Sequence, residues 1–199
     1  MWANPKLWLK RNGNAYIDTL DIPSNEDNYE IIASLPESNI ADGALWGSRS
    51  SNWSRTQAVV WFNNNSGAAR VTIRFSDGVY ESAKGLAYGE KAIIKFGKNG
   101  VEINGENLKS VQPPKLDTNL NALLFGLYNN VAVDSRLFNG TVNVYKKSDG
   151  DGNLIKHLVP VPAGLKIGDY TVPANGMWDM VNQKYYGNAG SGEFEIEKD

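Results

Sequence analysis

The chain is built mostly from short apolar runs in which every second residue is hydrophobic. Residues 69–75, ARVTIRF, show the pattern cleanly. Val71, Ile73 and Phe75 fall on one side, and Arg70, Thr72 and Arg74 on the other, as in a half-buried strand. Comparable runs lie at 27–35 (DNYEIIASL), 57–63 (QAVVWFN), 91–97 (KAIIKFG), 121–129 (NALLFGLYN) and 140–147 (GTVNVYKK). Asn104-Gly105 divides 101–111 (VEINGENLKSV) into two apolar stretches, a strong short-range hairpin signal. Asn64-Asn65-Ser66-Gly67 and Ser76-Asp77-Gly78 read as turns. NLIKHLVPVP (153–162) reads as extended, with Pro160 and Pro162 expected to stop ladder pairing. No window carries a helical apolar stripe over three turns with a capping box. Roughly a dozen strands are spaced as an antiparallel sandwich spaces them. The expected fold is therefore all-β: an antiparallel two-sheet jelly-roll sandwich, one domain over residues 1–199. Pro113-Pro114 reads as a loop inside it rather than a boundary.

Composition narrows the chemistry. The 199 residues include no cysteine and a single histidine, which removes disulfides, thiol nucleophiles, Cys-ligated zinc and any multi-His metal site. Lys+Arg is 20 and Asp+Glu is 22, for a net charge of -2, so there is no footprint for nucleic acid. The first residues, MWANPKLWLKRNG, have no apolar run of signal-peptide length. Nothing approaches a membrane-spanning run, so membrane insertion is not expected. Synthesis in a cytoplasm without an encoded export signal is expected.

Four constellations could carry chemistry. Glu193, Glu195 and Glu197 alternate along one strand face. Jelly-roll glycosidases of the laminarinase and lichenase type carry a similar alternation, with nucleophile first and acid/base last. Here Glu, not Asp, stands in the middle, and the run lies at the extreme C-terminus, where an edge strand is expected. Charge on an edge strand blocks aggregation, and no catalytic residue is assigned. Asp149, Asp151 and Asn153 imitate the start of an EF-hand loop. Leu154 then stands where Gly is needed and Pro160 where Glu is needed, so a hairpin turn is expected. No cofactor is assigned, and calcium in another geometry is the one left open. The run Gly187-Asn188-Ala189-Gly190-Ser191-Gly192 lacks the Lys-Ser/Thr ending of a phosphate loop. The only acid or hydroxyl residues near His157 in sequence are Ser148, Asp149 and Asp151, across a turn, so a packed or surface imidazole is expected.

The tryptophans are more informative. Trp46, Trp53 and Trp61 are interleaved with Arg49, Arg55 and Gln57 and followed by Asn63, Asn64 and Asn65. Aromatic faces with Arg and Asn beside them suit a sugar, whose apolar face stacks while its hydroxyls are hydrogen-bonded. Trp46 and Trp61 are expected in the core. Trp53, in the polar stretch SRSSNWSRT (48–56), is the exposed candidate, so Trp53, Arg49, Arg55, Asn63, Asn64 and Asn65 form the expected glycan face.

Three blocks resemble the concanavalin A-like, or laminin-G-like, domain of phage tail and virion proteins and related bacterial surface proteins. The first runs from Trp8 to Thr19 and ends in Tyr16-Ile17-Asp18-Thr19, after which the family usually has Gly and this chain has Leu20. The second is Leu45-Trp46-Gly47-Ser48-Arg49. The third runs from Leu124-Phe125-Gly126 through Gly140–Tyr145 and Gly152–Val161 to Met177-Trp178-Asp179-Met180-Val181 and the Gly-rich run before Phe194. The resemblance implies the same jelly-roll fold. It also implies a non-enzymatic phage virion surface protein: a capsid decoration, head fibre or tail component that binds other virion proteins and host glycans. Residues 1–7 would then be a docking arm. A homotrimer is the expected assembly, although no coiled-coil heptad forces it. A bacterial carbohydrate-binding adhesion module is the alternative, and a glycoside hydrolase the third reading.

Overall fold

The computed structural model describes residues 7–36, 43–49, 57–65, 68–75, 78–81, 86–109, 118–129 and 132–199. Strands alone make up its regular structure, with no helix among these residues. In chain order they are β1 (Leu7–Asn12), β2 (Ile17–Asp18), β3 (Asn28–Ser34), β4 (Gly43–Arg49), β5 (Gln57–Asn65), β6 (Ala68–Phe75) and β7 (Gly78–Glu81). Then come β8 (Lys91–Gly97), β9 (Gly100–Ile103), β10 (Glu106–Lys109), β11 (Leu123–Leu124), β12 (Tyr128–Asn129) and β13 (Ala132–Val133). The chain finishes with β14 (Thr141–Ser148), β15 (Leu154–Val161), β16 (Lys166–Ile167), β17 (Tyr170–Thr171), β18 (Gly176–Asp179), β19 (Lys184–Tyr186) and β20 (Glu193–Lys198).

These strands form two large sheets. The larger runs β10-β9-β8-β3-β14-β15-β18-β19, with β1 pairing β14 and β20. The smaller runs β13-β12-β4-β5-β6-β7, with β11 joining β2 to β4. Pairing among the described strands is antiparallel except between β4 and β12, which run parallel. The period-2 pattern explains the sandwich: alternate residues of each strand turn inward and leave water. Tyr29, Ile31 and Ala33 of β3 and Ile94 and Phe96 of β8 meet Trp46 of β4, Val60 and Phe62 of β5 and Ile73 of β6 in one core. Tyr29, Phe96 and Trp46 lie with ring centroids 5.0 to 5.1 Å apart, which bolts the two sheets together with aromatic contacts. Trp46 is fully buried, as expected.

Several boundaries differ from the sequence reading. Asn64 and Asn65 are not turn residues; they pair with Ala69 and Ala68 at the end of the β5–β6 hairpin. The run 121–129 is not one strand. It breaks into β11 and β12 around Phe125, whose φ of +66° cannot continue a strand. Pro160 does not end β15, because it faces Met177 of β18. β14 pairs β15 only as far as Leu158, so at Pro160 that side of the strand carries no β14 ladder for the missing N–H to break.

The sequence blocks acquire structural reasons. Leu20 stands at φ +58°, the left-handed region that favours glycine. Asp179 is fully buried and accepts hydrogen bonds from the backbone N–H groups of His157, Val181 and Asn182, so it caps the β18–β19 turn. A Cβ on Gly190 would run into the Asn14 carbonyl, and one on Gly192 into the Asn12 carbonyl. The glycine run is therefore the close approach of the C-terminal loop to the Asn12–Tyr16 turn. Asn188 ties it there, accepting from Tyr16 N–H and donating to the carbonyls of Gly190 and Gly192. Of the expected docking arm, residues 1–6 lie outside the described residues. Leu7 is no arm residue: it is buried and pairs with Lys198.

Candidate functional site

The outward face of the larger sheet is chemically divided. Towards β18 and β19 it is apolar and covered. Trp178 and Val161 form a second small core with Val172, against which Leu165, Ile167, Met180 and Tyr185 pack. The β16–β17 hairpin supplies the cover, with Tyr170 tilted onto Trp178 at 5.4 Å and onto Tyr185 at 6.2 Å. Towards β8, β9 and β10 the same face is polar and open.

Register aligns the open half into one row across six strands. Asn107 of β10 faces Glu102 of β9, and Glu102 faces Lys95 of β8. Lys95 faces Glu30 of β3, Glu30 faces Lys146 of β14, and Lys146 faces His157 of β15. Two ion pairs close within this row, Lys95–Glu102 at 2.8 Å and Lys146–Glu30 at 2.7 Å. The bond to Glu102 raises the Lys95 ammonium above the ordinary lysine value. His157 is pushed below the ordinary imidazole value, first by burial and then by the charge of Lys146.

A groove of about 260 Å³ follows this row from Asn107 to Lys146. Its other wall is Asn28, Asn99 and Ser148. Asn28 holds that wall in place: its Oδ1 accepts from Asn99 N–H at 2.9 Å, and its Nδ2 donates to the Asp149 carbonyl at 3.3 Å. One asparagine thus fixes the β8–β9 and β14–β15 turns against each other. Tyr29 and Phe96 lie directly beneath, so the groove sits on a stacked aromatic pair of the core. Such a surface can exchange hydrogen bonds with a polyhydroxylated ligand through carboxylate, ammonium and amide groups.

The described residues of the expected glycan face, Arg49 and Asn63 to Asn65, belong to the smaller sheet. Arg49 ends β4 in the smaller sheet, where Nε donates to Asn129 Oδ1 at 3.1 Å and Nη2 lies 3.8 Å from Asp134. Asp134 takes a fork from Arg136 at 3.0 and 2.9 Å, and this bond holds its carboxyl below the usual range. Burial lowers the Arg49 guanidinium. Trp53 and Arg55 lie outside the described residues. Asn63, Asn64 and Asn65 are in β5, opposite Arg70, Ala69 and Ala68.

The Asp149 loop is a turn. Asp149 Oδ1 accepts from the N–H groups of Asp151 and Asn153, and Oδ2 from Asn153 Nδ2. These bonds lower its carboxyl below the usual value and engage both oxygens locally. No cluster of three or more His, Asp or Glu fit for a metal occurs among the described residues. Glu193, Glu195 and Glu197 are exposed on β20, whose partner is β1. Lys10 pairs with Glu197 at 2.6 Å, and Asn12 donates to Glu195 at 3.3 Å. Sequence reasoning missed Glu30, Lys95, Glu102, Asn107 and Lys146. Alternation alone marks most of them as outward, but only register brings them together.

No family model matches the chain, and no curated protein matches it by sequence. Among solved structures it is similar to a candidate carbohydrate-binding protein of Bacteroides ovatus, with a TM-score of 0.63 and 11% identity over 97% of this chain. The chain spans 60% of that protein's length. It is also similar to the heptameric SAP-like pentraxin of Limulus polyphemus, with a TM-score of 0.58 and 7% identity, covering 98% of this chain and 95% of the pentraxin. At such identities the likeness speaks to fold alone. The chain is an all-β, antiparallel jelly-roll sandwich of the concanavalin A-like kind.

Proposed function

We propose that the protein is a non-enzymatic carbohydrate-binding module acting in adhesion. The carrying observation is the polar groove on the outward face of β10, β9, β8, β3 and β14, where charged and amide side chains converge above a stacked aromatic pair of the core. The likeness to the Bacteroides ovatus protein supports the same reading. A glycan array probed with and without calcium tests it. Saccharide-specific binding is the expected result, and no binding in either condition rejects it. Trp53→Ala in the same assay asks whether the Trp53 segment shares the ligand.

Placement on a phage virion surface, beside other virion proteins, rests on the sequence blocks alone. Mass spectrometry of purified particles tests that placement, and absence of the chain from them rejects it.

A further inference from the structure

We infer that the groove takes a neutral, linear saccharide laid across the strands, held without calcium by the row of paired charges. The inference rests on the glycan-binding reading above. Charge balance comes first. Lys95, Lys146, Glu30 and Glu102 alternate along the row and are paired at 2.8 and 2.7 Å. An anionic sugar would meet Glu30 and Glu102 wherever it approached a lysine, and a cationic sugar would meet the converse. A hydroxyl suffers neither penalty. It donates to a carboxylate and accepts from the neighbouring ammonium at once. The pairs remain open to such a ligand, with 34% and 26% of the Lys146 and Glu30 side chains exposed, and 48% and 36% of Lys95 and Glu102.

Spacing comes second. Neighbouring strands lie about 4.8 Å apart, close to the repeat of one pyranose unit in an extended glycan. Successive sugars would therefore meet successive strands, each with a charged or amide group at the same register. Apolar surface comes third. One pleat further along the strands, Ile93 faces Ile32 and Ile32 faces Val144, and Ile93 is 38% exposed. A sugar over the charged row would rest its C–H edge on this strip. Asn28, Asn99 and Ser148 bound the other side.

The test is binding of soluble neutral polysaccharides and their sulfated counterparts, in EDTA, to the wild-type chain and to two variants. Wild type is expected to prefer the neutral forms, with little dependence on salt. Glu30→Gln with Glu102→Gln leaves Lys95 and Lys146 uncompensated. It is expected to weaken neutral binding roughly tenfold or more and to gain affinity for the sulfated forms. Ile93→Ser, outside the charged row, is expected to weaken neutral binding without that switch. Circular dichroism melting confirms that each variant folds. Wild-type preference for sulfated polymers, or loss of binding in EDTA, overturns the inference. So does wild-type affinity in both variants, an outcome that leaves glycan binding itself standing elsewhere on the molecule. Absence of any saccharide binding by the wild type removes both readings.

Discussion

The two halves of the outward face of the larger sheet belong to one continuous ladder and meet at β15, yet one is a core and the other a surface. On β15, Val159 and Val161 are buried while His157 is half-exposed. On the open half, the residues at equivalent outward positions are Lys95, Glu30 and Lys146. The difference is the β16–β17 hairpin, which covers Trp178 and its neighbours and has no counterpart over the charged row among the described residues. A sheet face is apolar where the chain folds back over it and polar where it does not, because uncovered apolar area stays hydrated at about 25 cal/mol per Å². Ion pairs follow the same logic. Lys156 points inward from β15 and meets Asp21 at 2.9 Å with side chains 6% and 13% exposed. Lys146 makes a pair of similar length in far more open surroundings.

The comparison can be broken most severely at the covered half. Trp178→Ala should cost about 3–5 kcal/mol in denaturant unfolding, the range for emptying a large aromatic site. A loss below about 1 kcal/mol would mean that the hairpin is not a core element. Lys156→Met should cost about 3–5 kcal/mol, because Asp21 is left buried without its cation. On the open half, a double-mutant cycle between Lys95 and Glu102 should return a coupling of only about 0.2–1 kcal/mol. A value like that of the buried pair would erase the distinction between the two settings.

The smallest effect sits at the boundary between the halves. The His157 imidazole lies below its unfolded value of about 6.5. The unfolded chain therefore binds the extra proton first. Stability is fully present above that value and is lost as pH falls from about 6.5 towards the lower folded value. Lys146 and Glu30 face this ring along the row, and Asp179 acts on it from β18. Melting temperatures between neutral and mildly acidic pH should fall less steeply in His157→Gln than in wild type. Equal slopes would place the His157 ring in solvent.

Much of the architecture was legible in the residues. The alternation in ARVTIRF and KAIIKFG matches β6 and β8, and Asn104-Gly105 is the β9–β10 turn, with both residues at positive φ. The Asp149 loop is the hairpin turn that its Asx chemistry predicts, and the glutamate run is on an edge strand. The failures are instructive. Asn64 and Asn65 carry turn residues into a strand because pairing with β6 outweighs local preference. Leu123 to Leu127 has no polar residue, so periodicity could not reveal the break at Phe125. The expected sugar face rested on tryptophans close in sequence, whereas the groove is assembled from five strands, with lining residues from Asn28 to Ser148.

Local pattern therefore determined what each strand does: which residues face inward, where hairpins turn, and that the chain closes as a sandwich. This information is local because a pleat inverts every residue and a turn needs only two to four. Tertiary structure decided which outward residues share a row, which half of the sheet the hairpin covers, and that Glu30, Lys95, Glu102 and Lys146 stand side by side. Those outcomes depend on register between strands distant in the chain. A shift of one residue would turn the row into the core, so burying Tyr29 and Phe96 beneath the groove is what sets the charges above it.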